Sequence, residues 1–271
     1  MKNRFLVLIL LVSTAIFGQN KLFDLVTEFS LPGKPQAWAI DNVGNLTYIY
    51  KGIISKTDST GNLLFTQSYK KMGNKPQIFP INSMKTILFS EDQQTICMLD
   101  NTLSINGKCK ELETFGITFA TSIAISARPN LIWVYDQSNS TLKLIDIIND
   151  KVEQQVKNFN GLMNSKVSII GMLENDNKLY VWNSDKTVFE FDMLLNLSNE
   201  YNVSAIPLFF VGDFMTSLNK DRLELLRPID EQKRAIASPS PEATNFFCSG
   251  KNFYFEKDNK IEKFRFKGFQ Y

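Results

Sequence analysis

Short runs in which apolar and β-branched residues alternate or cluster recur along the chain, separated by turns of Gly, Asn, Asp and Ser. Examples are residues 46–50 (LTYIY), 86–89 (TILF), 131–135 (LIWVY), 179–182 (LYVW) and 253–255 (FYF). Such runs between turn formers predict β-strands joined by hairpins. A helical spacing competes at Ile148, Val152, Val156 and Phe159, where the context of the repeat favours a strand.

The runs keep a beat. Segments ending in an apolar residue followed by Asp, at Asp100, Asp146, Asp192 and Asp230, with a looser first copy ending at Thr57-Asp58, place these aspartates 42, 46, 46 and 38 residues apart. A period of about forty residues is that of one four-stranded propeller blade. In the third unit the strands, inner to outer, are expected at 122–126 (a), 131–135 (b), 141–147 (c) and 152–157 (d), with turns at Arg128-Pro129-Asn130 and Asn149-Asp150-Lys151. Five units are expected at 36–70, 75–110, 117–159, 166–203 and 206–239. A sixth, at 244–248, 252–256 and 260–266, lacks an outer strand, which residues 22–29 can supply. The fold class is therefore all-β: a six-bladed β-propeller of four-stranded antiparallel blades, the ring closed by the N-terminal strand, forming a single domain over 19–271. Seven blades would need about 280 residues. Residues 238–242 (SPSPE) are read as a stiff connection between the last two blades, with a partner-contacting loop as the alternative. The segments 57–65 (TDSTGNLLF) and 144–152 resemble outer hairpins of secreted bacterial β-propellers, a likeness that implies a fold superfamily without a function.

The first residues carry a different pattern. Met1-Lys2-Asn3-Arg4 is followed by an apolar run over 5–12 and then Ser13-Thr14-Ala15-Ile16-Phe17-Gly18 before Gln19, as expected of a signal peptide over 1–18. A buried strand or an uncleaved anchor is the alternative. No cysteine near the junction marks a lipid anchor, and no later segment approaches the roughly 20 apolar residues of a membrane-spanning helix. The 271 residues carry 30 basic and 28 acidic side chains, and removal of Lys2 and Arg4 would cancel the excess. A neutral mature chain has no global field to draw it to nucleic acid. Export permits a disulfide, for which Cys97 and Cys109 are the expected pair across a hairpin turn, with Cys248 in Phe246-Phe247-Cys248 read as a small buried thiol.

There is no histidine, which excludes Ser-His-Asp and Cys-His sites, histidine-ligated zinc and histidine pH switches. No Walker loop, dinucleotide-binding fingerprint or zinc spacing occurs, and no catalytic residue or resident metal is assigned. Asp92, Asp136, Asp185, Asp221 and Asp258 fall in or beside the b–c loops of five units. They are candidates for a partner-binding face or for calcium ligands around a channel mouth, an arrangement that resembles lactonase-like six-bladed hydrolases. Turn chemistry, in which Asp caps backbone amides, is weighed above the metal ring. The repeat aspartates lie at the opposite end of the strands and read as turn formers. Trp133 and Trp182 in b strands, and Trp38 in an a strand, read as packing between blades in preference to glycan stacking. Asn45, Asn139, Asn196 and Asn202 open glycosylation-type triplets of low specificity.

The expected function is a non-enzymatic exported propeller, periplasmic or at the cell surface, serving as a protein-interaction module of a bacterial envelope. The Lys/Asn/Phe-rich leader ending before Gln resembles those of exported proteins in gliding-type bacteria, where envelope propellers accompany type 9 secretion. That resemblance implies a protein partner such as an outer-membrane transport protein. The alternatives are a calcium-dependent lactonase-like hydrolase and a glycan-binding propeller.

Overall fold

The computed structural model describes residues 22–163 and 168–268, so the leader expected at 1–18 lies outside the described residues. The third unit shows how the pattern becomes structure. Strands β11 (Leu131–Asp136) and β12 (Thr141–Asp146) are buried along nearly their whole length, because the middle strands of a blade are covered on both faces by the neighbouring blades. Their outer neighbour β13 (Lys151–Val156) alternates between exposed and half-buried residues, since one of its faces meets water. The segment with competing helical spacing is thus a strand, followed by the short helix α1 (Phe159–Leu162). The inner strand β10 (Ala120–Ile125) completes the sheet order β10-β11-β12-β13.

Five further four-stranded antiparallel sheets repeat this plan. Blade 1 is β2 (Ala37–Ile40), β3 (Leu46–Tyr50), β4 (Ile53–Thr57) and β5 (Leu63–Ser68). Blade 2 is β6 (Pro76–Asn82), β7 (Lys85–Ser90), β8 (Thr95–Leu99) and β9 (Lys110–Glu111). Blade 4 is β14 (Ile169–Asn175), β15 (Lys178–Asn183), β16 (Thr187–Phe191) and β17 (Leu197–Asn202). Blade 5 is β18 (Phe209–Val211), β19 (Phe214–Asn219), β20 (Arg222–Arg227) and β21 (Gln232–Ala237). Blade 6 joins the two ends of the chain: β22 (Asn245–Ser249), β23 (Asn252–Lys257) and β24 (Lys260–Phe266) are completed by β1 (Phe23–Ser30). The chain is a six-bladed β-propeller whose ring is closed by its N-terminal strand, in register from Phe23↔Phe266 to Ser30↔Lys260 with one bulge between Leu25 and Thr27.

The core lies between blades. Trp133, Tyr135, Leu142 and Leu144 of blade 3 pack with Met172, Leu179, Val181 and Phe191 of blade 4. Phenylalanines dominate between blades 5 and 6, where Phe246, Phe253, Phe255 and Phe264 meet Phe214, Leu223 and Leu225.

Blade 2 departs from the expected plan. Its outer strand has two residues, and the 100–109 loop is held instead by the Cys97–Cys109 disulfide, Cα–Cα 4.2 Å, and by a single bridge from Ile105 to Leu99. Gly107, with φ 85°, turns the loop back where a full strand would have continued. The segment between blades 5 and 6 is held down at Ser238 and Ser240, which are buried and hydrogen-bonded to each other, with Ser240 also bonded to Glu262.

Candidate functional site

Antiparallel connectivity sorts the loops onto two faces: the a–b and c–d turns on one, the b–c and d–a loops on the other. The repeat aspartates build the c–d turns. Asp58 accepts hydrogen bonds from the backbone N–H groups of Thr60 and Asn62, and Asp192 from those of Leu194 and Asn196, with the Asn62 and Asn196 amides on the second oxygen. Asp100 does the same with Thr102 and Ser104, and Asp146 with Ile148 and Asn149. Asp230 lies three residues beyond β20 and adds an ion pair with Arg227 at 2.6 Å. All five carboxyls are held below the usual carboxylate range: Asp58 by the Thr60 and Asn62 side chains, Asp100 by Thr102, Asp192 by Asn196 and Asp230 by Arg227. At Asp146 burial works upward and the Asn149 and Ile148 bonds outweigh it.

On the opposite face the structure places Asp92, Asp136, Asp185, Asp221 and Asp258 in or beside b–c loops. Asp136 is fully buried and accepts from the Thr118 and Phe119 N–H groups and the Asn139 amide. Burial would raise its pKa, but these bonds prevail and hold it low. Asp92 accepts from the Asn74 N–H at 2.6 Å. Two of the five therefore fasten a d–a loop to the next blade, while Asp185, Asp221 and Asp258 are exposed. Among the described residues no three carboxylates or thiols come together as a cation-ligand set.

Buried charges on c strands carry interactions that sequence reasoning missed. Lys56 is buried beside Asp41 at 3.4 Å and donates to the Ser83 carbonyl of the next blade. Lys143, whose pKa burial lowers, donates to the Phe115 and Gly116 carbonyls at 2.7 Å. Glu190 accepts from Lys178 and Tyr201, each at 2.8 Å. The signal available was a lone charge in an otherwise apolar c strand, as in Leu142-Lys143-Leu144. Lys56 and Lys143 fasten loops to the ring, and Glu190 gathers its partners within blade 4.

Trp133 and Trp182 are buried between blades. Trp133 donates to Glu174, and Trp182 lies flat on Gly171, where a Cβ would fall within its ring. Trp38 packs at the junction of blades 6 and 1 and donates to Glu256 at 2.8 Å, yet remains half-buried because it borders the ring axis. There the inner strands line a partly open cavity of about 680 Å³.

The c–d turns hold a second unpredicted feature. Leu63, Ile105, Ile148, Leu194 and Ile229, one from each of five successive blades, are exposed at or beside these turns, Leu194 at 79% and Ile229 at 89%. Val43 and Met84 are exposed in a–b turns of the same face. Turn geometry calls for Gly, Asn, Asp or Ser, so local structure does not account for these apolar tips.

No family model matches the chain, and no curated protein matches it. Solved structures do. The WD40 domain of Neurospora crassa Pan2 aligns over 92% of this chain and 96% of that one with TM-score 0.63 and 8% identity. Virginiamycin B lyase from Staphylococcus aureus aligns over 90% and 99% with TM-score 0.61 and 12% identity. The WD40 propeller domain of Doa1 aligns over 84% and 77% with TM-score 0.54 and 12% identity. These likenesses show the fold. A catalytically inactive form of the lyase, with one histidine replaced by alanine, has been solved with quinupristin and aligns equally well, TM-score 0.62.

Proposed function

We propose that this chain is a non-enzymatic, exported β-propeller that serves as a protein-interaction module of a bacterial cell envelope and docks its partner on the face of the a–b and c–d turns. The observation that carries the reading is the recurrence of an exposed apolar side chain at the c–d turn of five blades. Each such side chain gains about 1.5–3 kcal/mol when fully buried, so a partner covering several of them gains free energy. Lone carboxylates such as Asp185, Asp221 and Asp258 on the opposite face would instead cost free energy to desolvate.

Two further observations support the rest of the proposal. A disulfide between Cys97 and Cys109 suits an oxidising compartment, in agreement with the leader-like start. The lyase neighbour loses catalysis with one histidine, and this chain has none, which favours binding over that chemistry. The leader pattern points to an accessory role in outer-membrane protein export of the type 9 kind. The test is copurification from detergent-solubilised envelopes of the source bacterium: an outer-membrane transport protein should accompany the chain in stoichiometric amount, and its absence would contradict the export role.

A further inference from the structure

The cavity on the ring axis is not used by this reading, and its lining specifies what it would hold. Trp38, Phe79, Ile125, Met172, Phe209 and Phe247, one from each inner strand, border a space of about 680 Å³. All but Met172 are only half-buried, so the cores between blades leave part of their apolar surface uncovered. Pockets that enclose small organic molecules measure about 300–1,000 Å³. Glu174 is the one ionisable side chain in the lining among the described residues, and its oxygens already accept from the Ala127 N–H and the Trp133 indole. An anionic guest would lose its hydration without meeting a cationic side chain among the described lining residues. Each inner strand is bonded to a neighbouring strand on one side only, so its other edge turns N–H and C=O groups toward the axis, where uncharged polar groups can pair with them.

We propose that the axial cavity is a binding site for a small, mainly apolar molecule that carries no negative charge and has a few uncharged hydrogen-bonding groups. The site is separate from the apolar turns, and neither proposal rests on the other.

Trp38 and Trp182 line the cavity and Trp133 does not, so the protein carries its own reporter. The uncharged fluorophore N-phenyl-1-naphthylamine should bind the purified chain saturably, one per molecule, and be excited by transfer from tryptophan. Its anionic relative 1-anilinonaphthalene-8-sulfonate should bind at least about tenfold more weakly, because a charge in the cavity is unpaired. Ile125→Glu or Phe209→Glu, checked for an unchanged circular dichroism spectrum, should each weaken the neutral probe by about tenfold or more. In the W38F/W182F double variant the transfer should fall because two of three donors are lost, Trp133 remaining in range through its bond to Glu174, while directly excited probe still saturates. Unsaturable binding, equal affinity for the anionic probe, undiminished transfer in the double variant, or loss of binding on Leu194→Ser with Ile229→Ser would each overturn the assignment. The probe comparison and the turn variant decide the question even if both glutamate variants misfold.

Discussion

The ring of Phe23, near the start of the described chain, lies 5.1 Å from that of Phe266, near its end, and Phe23 meets Phe253 edge-on at 5.2 Å. Side chains 243 positions apart in sequence thus lock the last blade. Phe23 is 7% exposed, so Phe23→Ala should lower stability by about 3–5 kcal/mol through lost burial and a cavity. Leu25→Ala, on the same strand but 53% exposed, should change it by less than about 0.5 kcal/mol. Denaturant unfolding measures both. Equal effects would mean that the strand closes the ring by backbone pairing alone.

The c–d turns make stability depend on acid. Because the carboxyls of Asp58, Asp100, Asp146, Asp192 and Asp230 are held low in the folded chain, their contribution is complete above the unfolded carboxylate pKa near 4. It is lost as pH falls through the lowered values. Asp192→Asn should therefore melt below the wild type at pH 7, and the two melting temperatures should converge as pH falls toward 2. A constant gap would show that charge is irrelevant to the turn.

The disulfide fastens the blade whose outer strand is shortest. Cys97→Ser with Cys109→Ser should cost about 3 kcal/mol, the entropy of a short loop. Thiol counting on unfolded, unreduced protein should find Cys248 alone, and in the native state even that thiol should resist alkylation, since burial pushes its pKa up. Three reactive thiols before reduction would contradict the pairing.

Gly171 clears the inner strand of blade 4 for the Trp182 indole. Gly171→Ala forces the ring away and should cost about 1–3 kcal/mol, as overpacked cores do, with a changed tryptophan signal in near-ultraviolet circular dichroism. An unaltered signal would mean that the ring has room to spare.

Calcium or a chelator should leave the melting temperature unchanged, because Asp136 and Asp92 already bond backbone amides. Stabilisation that grows with calcium concentration would restore the hydrolase alternative.

The ring was legible in the sequence because its signals are local and repeated. A turn such as Asp192 to Asn196 needs the same side chains wherever it occurs, and a middle strand such as 131–136 must be apolar on both faces. Blade 2 was less legible, since its outer ladder shrinks to two residue pairs and a disulfide and one bridge at Ile105 hold the rest of the loop. The apolar turn tips and the axial cavity were hidden for another reason. Leu194 reads like any strand-end leucine until the fold exposes it, and Trp38 reads as blade packing until six inner strands converge on one axis. Such properties belong to elements brought together from distant parts of the chain.

Face-specific capture tests the central claim most directly. Wild-type protein, a Leu194→Ser/Ile229→Ser variant and an Asp185→Asn/Asp221→Asn/Asp258→Asn variant would be immobilised at equal density and exposed to solubilised envelopes, and the bound partner quantified. The account predicts that the serine variant, though folded, loses the partner at least about tenfold, in line with two buried leucine-sized contacts, while the asparagine variant retains it. Loss in the asparagine variant with retention in the serine variant would contradict the account and move the docking face to the b–c loops.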